Sequence, residues 1–346
     1  MADLYNRIDG ILADGPRFAG YGALGVGVRS EVLAFRDQAL EVWYPADCDG
    51  ALTSSDGVYD TLLRDGVTQL RLFGRAHRGA KPLAGDWPLV ILSHGYPGNR
   101  LLLSHLGETL ASRGYLVASI DHRGSTYADK RAFVETLVNR PLDTRAVADH
   151  FDAQAYAIIG YSMGGYGALV AGGARVSAAA VAEHGAVLAQ HQAIKVDPRL
   201  RAIIPLGPWG GKQGIWEAEG LAGVSVPTFI MAGSADEISG YDTGMRRIFN
   251  AVSGARLLTF EGAGHNAAAP IPAPREAFTT SPALEFLPAE HYADPVWDTV
   301  RMNAIAQHFA TAFLGLHLKG DAGMAAYLED FEGFSAQAKA GLRLEP

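Results

Sequence analysis

Three side chains in this sequence, Ser162, Asp236 and His265, sit in contexts that suit nucleophilic acyl chemistry. A serine hydroxyl is a weak nucleophile at neutral pH; it needs a base within hydrogen-bond reach and an acid that orients the base. Ser162 is the centre of Gly160-Tyr161-Ser162-Met163-Gly164, a G-x-S-x-G pattern. Its flanks give the pattern meaning. Residues 155–159 form a short apolar run of buried-strand type, and residues 165–171 read as a helix with small residues on its first turn. A strand, a sharp turn and a helix would lift the hydroxyl above a sheet, with glycines removing the Cβ atoms that such a turn crowds.

His265 lies in Gly262-Ala263-Gly264-His265-Asn266, directly after an apolar run that ends at Phe260. A loop at the C-terminal edge of a late strand would fold this histidine over the sheet as the base. Asp236 follows residues 229–235, the loop after the preceding strand, and is the first acid beyond the strand end; Glu237 is the adjacent alternative. The order nucleophile, acid, base differs from the two common serine-protease orders. An oxyanion would need preorganised N–H donors. The Met163 amide, at the start of the helix after the serine, is one. The Tyr96 amide in Ser93-His94-Gly95-Tyr96-Pro97-Gly98 is the other, because Pro97 has no N–H to offer. The rings of Tyr96, Trp209 and Phe278 are candidates for the substrate pocket, as are Trp216, Phe286 and Trp297. His122, His150, His308 and His317 read as structural, and His184 and His191 lack obvious ligand partners.

The elements that must position these residues are legible in outline. Alternation in residues 25–34 and 39–44 predicts antiparallel strands, and residues 56–86, polar and irregular, predict a helix and loop over one sheet edge. From Pro88 the texture changes to apolar runs at 88–93, 115–120, 155–159, 200–206, 227–232 and 255–260, separated by helical stretches. That rhythm predicts an α/β fold with a mostly parallel central sheet and helices on both faces. Residues 1–346 read as one domain. Two segments interrupt the rhythm, the Ala-rich stretch at 176–194 and the Pro-rich stretch at 266–294, both expected as rims or lids of a site. Residues 297–318 predict a closing amphipathic helix. Gly20-Tyr21-Gly22-Ala23-Leu24-Gly25 matches G-x-G-x-x-G, but no strand precedes it and a strand-like alternation follows, so it lacks the helix N-terminus that nucleotide binding requires.

Composition narrows the partners. Of 346 residues 48% are apolar and 19% charged, a globular balance, and a net charge of −8 gives a nucleic acid or anionic membrane no electrostatic support. Cys48 is the only cysteine, which excludes an intrachain disulfide and a multi-cysteine metal site. The N-terminal residues lack the charged-then-apolar pattern of a signal peptide, and no apolar run approaches a membrane span, so the expected location is cytoplasmic.

These residues together resemble a serine α/β-hydrolase of the bacterial dienelactone-hydrolase-like and platelet-activating-factor acetylhydrolase-like esterases, with features shared by the cutinase-like polyester hydrolases. The resemblance rests on Val42-Trp43-Tyr44-Pro45, the Ser93-His94-Gly95 loop, Ile120-Asp121-His122-Arg123-Gly124, Asn139-Arg140-Pro141-Leu142-Asp143, the Ser162 pentapeptide, Gly233-Ser234-Ala235-Asp236 and Gly264-His265. Ser162 stands where dienelactone hydrolases resemble a cysteine-nucleophile design. The resemblance implies hydrolysis of a small-molecule carboxylic ester through an acyl-enzyme, with no metal or organic cofactor. Lactone or amide hydrolysis, acyl transfer to an alcohol, and a non-catalytic binding protein on the same scaffold are the competing readings.

Overall fold

The computed structural model describes residues 6–10, 12–48, 56–130 and 133–346. The chain opens on an antiparallel pair, β1 (Gly25–Leu33) and β2 (Gln38–Asp47). A separate hairpin follows, β3 (Val58–Leu62) and β4 (Gln69–Phe73), and then two short strands, β5 (His77–Arg78) and β6 (Lys81–Pro82), that pair with β1 and β2. From β7 (Leu89–Ser93) onward strands and helices alternate: α1 (Ser104–Ala111), β8 (Leu116–Ile120), α2 (Phe133–His150), β9 (Tyr156–Tyr161), α3 (Met163–Ala171), α4 (Ala178–His184) and β10 (Leu200–Leu206). The series ends with α5 (Ala218–Leu221), β11 (Phe229–Gly233), α6 (Arg246–Ala251), β12 (Arg256–Phe260), α7 (Thr299–His317) and β13 (Leu342–Glu345).

One large sheet runs β13-β12-β11-β10-β9-β7-β8-β2-β1-β5, with β6 beside β2. The strands from β12 to β8 are parallel to one another, while β2 and β13 flank them antiparallel. Every residue of β7, β9 and β11 is buried, because helices cover both faces. One core layer joins the sheet to α1, α7 and the β3–β4 hairpin; the other joins it to α2, α3 and α6. The expected α/β architecture with a mostly parallel sheet is what the chain forms.

Two expectations need correction. Residues 56–86 hold no helix among the described residues; the β3–β4 hairpin occupies the span. Tyr59, Leu70 and Leu72 point inward at strand spacing, and Asp65 and Gly66 turn the chain between them, but charged neighbours such as Asp60 and Arg71 disguise the period of two. The 176–194 stretch contributes nothing to the cleft at Ser162 among the described residues. Gly185, at φ +96, ends α4, and a 3-10 turn (Ala186–Ala193) docks onto α2 and α3 instead. There His191 is buried against the Tyr166 hydroxyl at 2.9 Å and the Leu137 carbonyl at 3.1 Å.

Candidate active site

Ser162 follows β9 directly and is the N-cap of α3, with φ +53 and ψ −114. A non-glycine residue in that region is strained, and the strain is held by packing. A Cβ on Gly160 would strike the Gly164 carbonyl, and a Cβ on Gly164 would strike the Ser93 carbonyl, so the sharp bend requires both glycines. The Ser162 amide donates to the Leu206 carbonyl at 2.8 Å, and its own carbonyl accepts from the amides of Tyr166 and Trp209 at 3.1 and 3.0 Å. The residue is fixed on both sides, and its side chain opens onto a cleft of about 450 Å³.

His265 follows β12 and Asp236 follows β11, so both hang over the carboxyl ends of the parallel strands beside the serine. His265 Nε2 lies 3.0 Å from Ser162 Oγ and Nδ1 lies 2.8 Å from Asp236 Oδ2. A carboxylate only accepts, so Nδ1 carries the proton and Nε2 is left to accept from the serine hydroxyl. The other carboxylate oxygen of Asp236 accepts the Ile238 and Ser239 amides at 2.9 Å each, which fixes the acid in turn. Asp236 is buried while Glu237 is exposed, so the first acid beyond the strand is the one that meets the histidine. Tyr161 stacks obliquely on the His265 ring at 5.2 Å, and its hydroxyl donates to Asn266 Oδ1 at 3.0 Å. Asn266 ties to the carbonyls of Glu290 and Ala293 at 2.7 Å each, and Asp294 Oδ2 accepts the Gly264 amide at 2.6 Å. The Pro-rich stretch at 266–294 therefore buttresses the histidine loop.

Tyr96 and Met163 both line the cleft beside Ser162; Met163 is the first residue of α3, where helix amides lack intrahelical partners. A Cβ on Gly95 would sit 3.3 Å from the Ser162 Cβ, so the loop after β7 approaches the serine as closely as backbone allows. Sequence reading assigned no role to what holds that loop. Arg140, fully buried on α2, donates through Nη1 to the His94 carbonyl and through Nη2 to the Gly95 carbonyl at 3.0 Å and Ser125 Oγ at 2.6 Å. His94 Nδ1 donates to the Gly95 carbonyl at 2.7 Å, and its Nε2 accepts the His122 amide at 3.1 Å. The available signal was Arg140 and Asp143 three apart on one helix, but which face they occupy follows only from packing.

The same region holds a second Ser-His-Asp chain. Ser93 Oγ donates to His122 Nε2 at 2.8 Å and His122 Nδ1 donates to Asp143 at 2.8 Å. All three side chains are sealed from solvent, and burial, followed by the Arg140 charge, drives the His122 pKa well below its usual value. This chain ties β7, β8 and α2 together, and no substrate reaches it.

The cleft has an aromatic wall: Tyr96, Phe133 and Trp209 meet edge to face at 5.1 and 5.4 Å between ring centroids. Tyr96 and Trp209 lie where the sequence expected pocket residues. Phe278 does not. A 3-10 turn (Arg275–Phe278) points Ala277 inward and leaves Phe278 63% exposed, outside the cleft; Phe286, Phe133 and Arg64 line it instead. Trp216 is buried beneath Tyr166, stacked at 5.3 Å. Among the described residues no group of three or more His, Cys, Asp or Glu side chains is arranged for a metal ion, and no helix is long and apolar enough to cross a membrane.

A family profile described as "alpha/beta hydrolase fold" matches residues 88–181, the segment from β7 through the serine turn into α4. A ferulic acid esterase from Streptomyces cinnamoneus shares the chain trace with a TM-score of 0.63 at 21% identity, over 99% of each chain. The chain has the α/β-hydrolase fold. Cutinase 1 of Thermobifida cellulosilytica is 28% identical to this hydrolase-fold chain over 185 residues, 51% of this chain and 59% of the cutinase. A bis(hydroxyethyl) terephthalate hydrolase of Streptomyces coelicolor is 27% identical over 161 residues, 45% and 42% of the two chains. The chain spans about half the length of these curated relatives.

Proposed function

We propose that this hydrolase-fold protein cleaves small-molecule carboxylic esters through an acyl-enzyme on Ser162. The observation that carries the reading is the unbroken hydrogen-bond chain from Ser162 through His265 to Asp236, open to a cleft at the carboxyl edge of the sheet. Ser162 Oγ attacks the ester carbonyl carbon while its proton passes to His265 Nε2. Negative charge moves to the carbonyl oxygen, where the amides of Tyr96 and Met163 are the assigned donors, aided by the N-terminal dipole of α3. Collapse expels the alcohol, which takes the proton from Nε2. A water molecule, deprotonated by the same nitrogen, then attacks the acyl carbon; the bond to Ser162 Oγ breaks, Nε2 returns its proton to that oxygen, and the acid leaves. Asp236 keeps Nδ1 protonated and balances the imidazolium formed in each half-reaction.

The apolar side of the cleft supports an ester with an apolar or aromatic acyl or alcohol part, since Tyr96, Phe133 and Trp209 offer ring edges and little polar surface. The names of the similar proteins, cutinases, a terephthalate ester hydrolase and a ferulic acid esterase, support the ester over the amide. The test is Ser162→Ala. Turnover of short-acyl p-nitrophenyl esters should fall about a millionfold with an unchanged melting temperature, and labelling by a fluorophosphonate should vanish. Retained turnover in the variant would overturn the assignment.

A further inference from the structure

We propose that Arg64 makes this cleft selective for esters that carry a second, ionised carboxylate, with half-esters of dicarboxylic acids as the substrate class; the inference rests on the ester-hydrolase reading above. Arg64 sits in the turn between β3 and β4 and lines the same cleft as Ser162. The turn is rigid. Leu63 donates its amide to the Thr68 carbonyl at 2.9 Å, Gly66 donates to Leu63 at 2.9 Å, and Asp65 Oδ1 accepts the amides of Val67 and Thr68 at 3.0 and 2.9 Å. The nearest acid in the chain is thereby engaged with its own turn. The Arg64 guanidinium lies 5.9 Å from the Tyr127 ring and 5.8 Å from the Phe286 ring, and its Nε is buried with no hydrogen-bond partner.

Arg113 and Arg140 also have a buried Nε without a partner, but of the three only Arg64 lines this cleft. Arg71, Arg75, Arg78 and Arg100, close to it in sequence, each meet a carboxylate. A guanidinium carries five donors in a planar fork that matches a carboxylate with two parallel hydrogen bonds, and a buried N–H without an acceptor costs free energy until one arrives. Within the cleft the other ionisable side chains are His265, His291, Glu290 and the tyrosines Tyr96 and Tyr161, whose pKa values burial raises, so both phenols are neutral. Burial, then the charge of Arg64, drives the His291 pKa well below its usual value, so this ring is neutral. Glu290 Oε1 accepts the Leu287 amide at 3.2 Å, and Glu290 makes no ion pair with Arg64. The aromatic flanks lower the local dielectric, which strengthens attraction to an incoming anion. One cation matches the single charge of a carboxylate; a phosphate monoester would bring nearly two. The chain as a whole is negative, so attraction of an anion must be local.

The test compares monoethyl adipate with diethyl adipate. In Arg64→Gln the ratio of kcat/KM for the half-ester to that for the diester should fall about tenfold to a hundredfold, mainly through KM of the half-ester. A ratio unchanged within about twofold, or both substrates falling in parallel, overturns the proposal. A second measurement does not need turnover: calorimetric titration of monoethyl adipate into Ser162→Ala and into Ser162→Ala/Arg64→Gln should show binding at least about tenfold weaker in the double variant. Arg64-dependent binding by Ser162→Ala, with no hydrolysis of either ester by the unaltered protein, would sink the hydrolase reading and keep the anion site. Hydrolysis of both esters with no dependence on Arg64 would do the reverse. A half-ester that Ser162→Ala fails to bind more tightly than the diester also overturns the proposal.

Discussion

At the scale of single residues, the arrangement around Ser162 depends on side chains that never touch a substrate. Arg140 is the strongest case. It is fully buried, and its two terminal nitrogens bridge the carbonyls of His94 and Gly95, which precede the Tyr96 amide assigned to the oxyanion. Arg140→Met would leave the His94 carbonyl without its donor and the Gly95 carbonyl with only His94 Nδ1, and Arg140→Lys would keep the charge but lose the planar two-point grip. We expect kcat to fall about a hundredfold in the methionine variant with KM changed by less than about threefold, since a misplaced donor is felt in the transition state. Steady-state kinetics on a p-nitrophenyl ester, with the melting temperature alongside, checks this. A fall in stability with kcat intact would reduce Arg140 to a structural role. Ser162, Asp236 and His265 stood out in the sequence because glycines and strand ends mark them. Arg140 and Arg64 did not, because an arginine in a polar stretch looks like surface until packing reveals which way it faces.

At the scale of elements, the position of His265 is a product of two strand ends and one long excursion. Glycine residues free the loop after β12 to turn, and the excursion pins it through Asn266 and Asp294. Asp294 also accepts the amides of Val296 and Trp297 at 2.9 and 2.8 Å, so it joins the loop to the approach of α7. Asp294→Ala should cost about 1–3 kcal/mol of stability and lower kcat about tenfold, because three amides lose their acceptor and the base loses its buttress. Urea unfolding and kcat measured on the same preparation check it; a stability loss with kcat unchanged would show that the loop keeps its shape unaided. The parallel strands were readable from the sequence because burial on both faces makes them uninterrupted apolar runs. The β3–β4 hairpin was not, since half its residues face solvent and its polar half reads as loop. β13, four residues of Leu-Arg-Leu-Glu, is too short for its alternation to stand out, and it acquires meaning only beside β12.

At the scale of the whole molecule, a population of buried neutral histidines makes the fold sensitive to acid. Burial lowers the pKa of His105 to about 3 and of His191 and His308 to about 4, and drives those of His94, His122 and His291 well below the usual value. Below the unfolded value of about 6.5 the unfolded chain binds protons that the native chain refuses, so stability is complete above that pH and declines beneath it. Each such histidine removes about 1.4 kcal/mol per pH unit until its native pKa is reached. Asp143, raised by burial to about 6 against the pull of Arg36, works in the opposite sense between about 6 and 3.8, as do Glu108 and Asp121, also raised by burial, but these three are outnumbered by the six histidines. Unfolding free energy should therefore drop by several kcal/mol between pH 7 and pH 5, and the slope should shrink by one group in His105→Leu. Denaturant titrations at the two pH values test this; a flat profile would contradict the burial of these rings. His122 belongs to this population and also to the sealed chain of Ser93, His122 and Asp143. Side by side, one polypeptide carries two constellations of the same chemistry, alike to within a few tenths of an ångström. One works as mortar between two strands and a helix, the other faces an open cleft, where the proposed reaction would release its alcohol. Interatomic distances cannot rank them; the room left for a leaving group can.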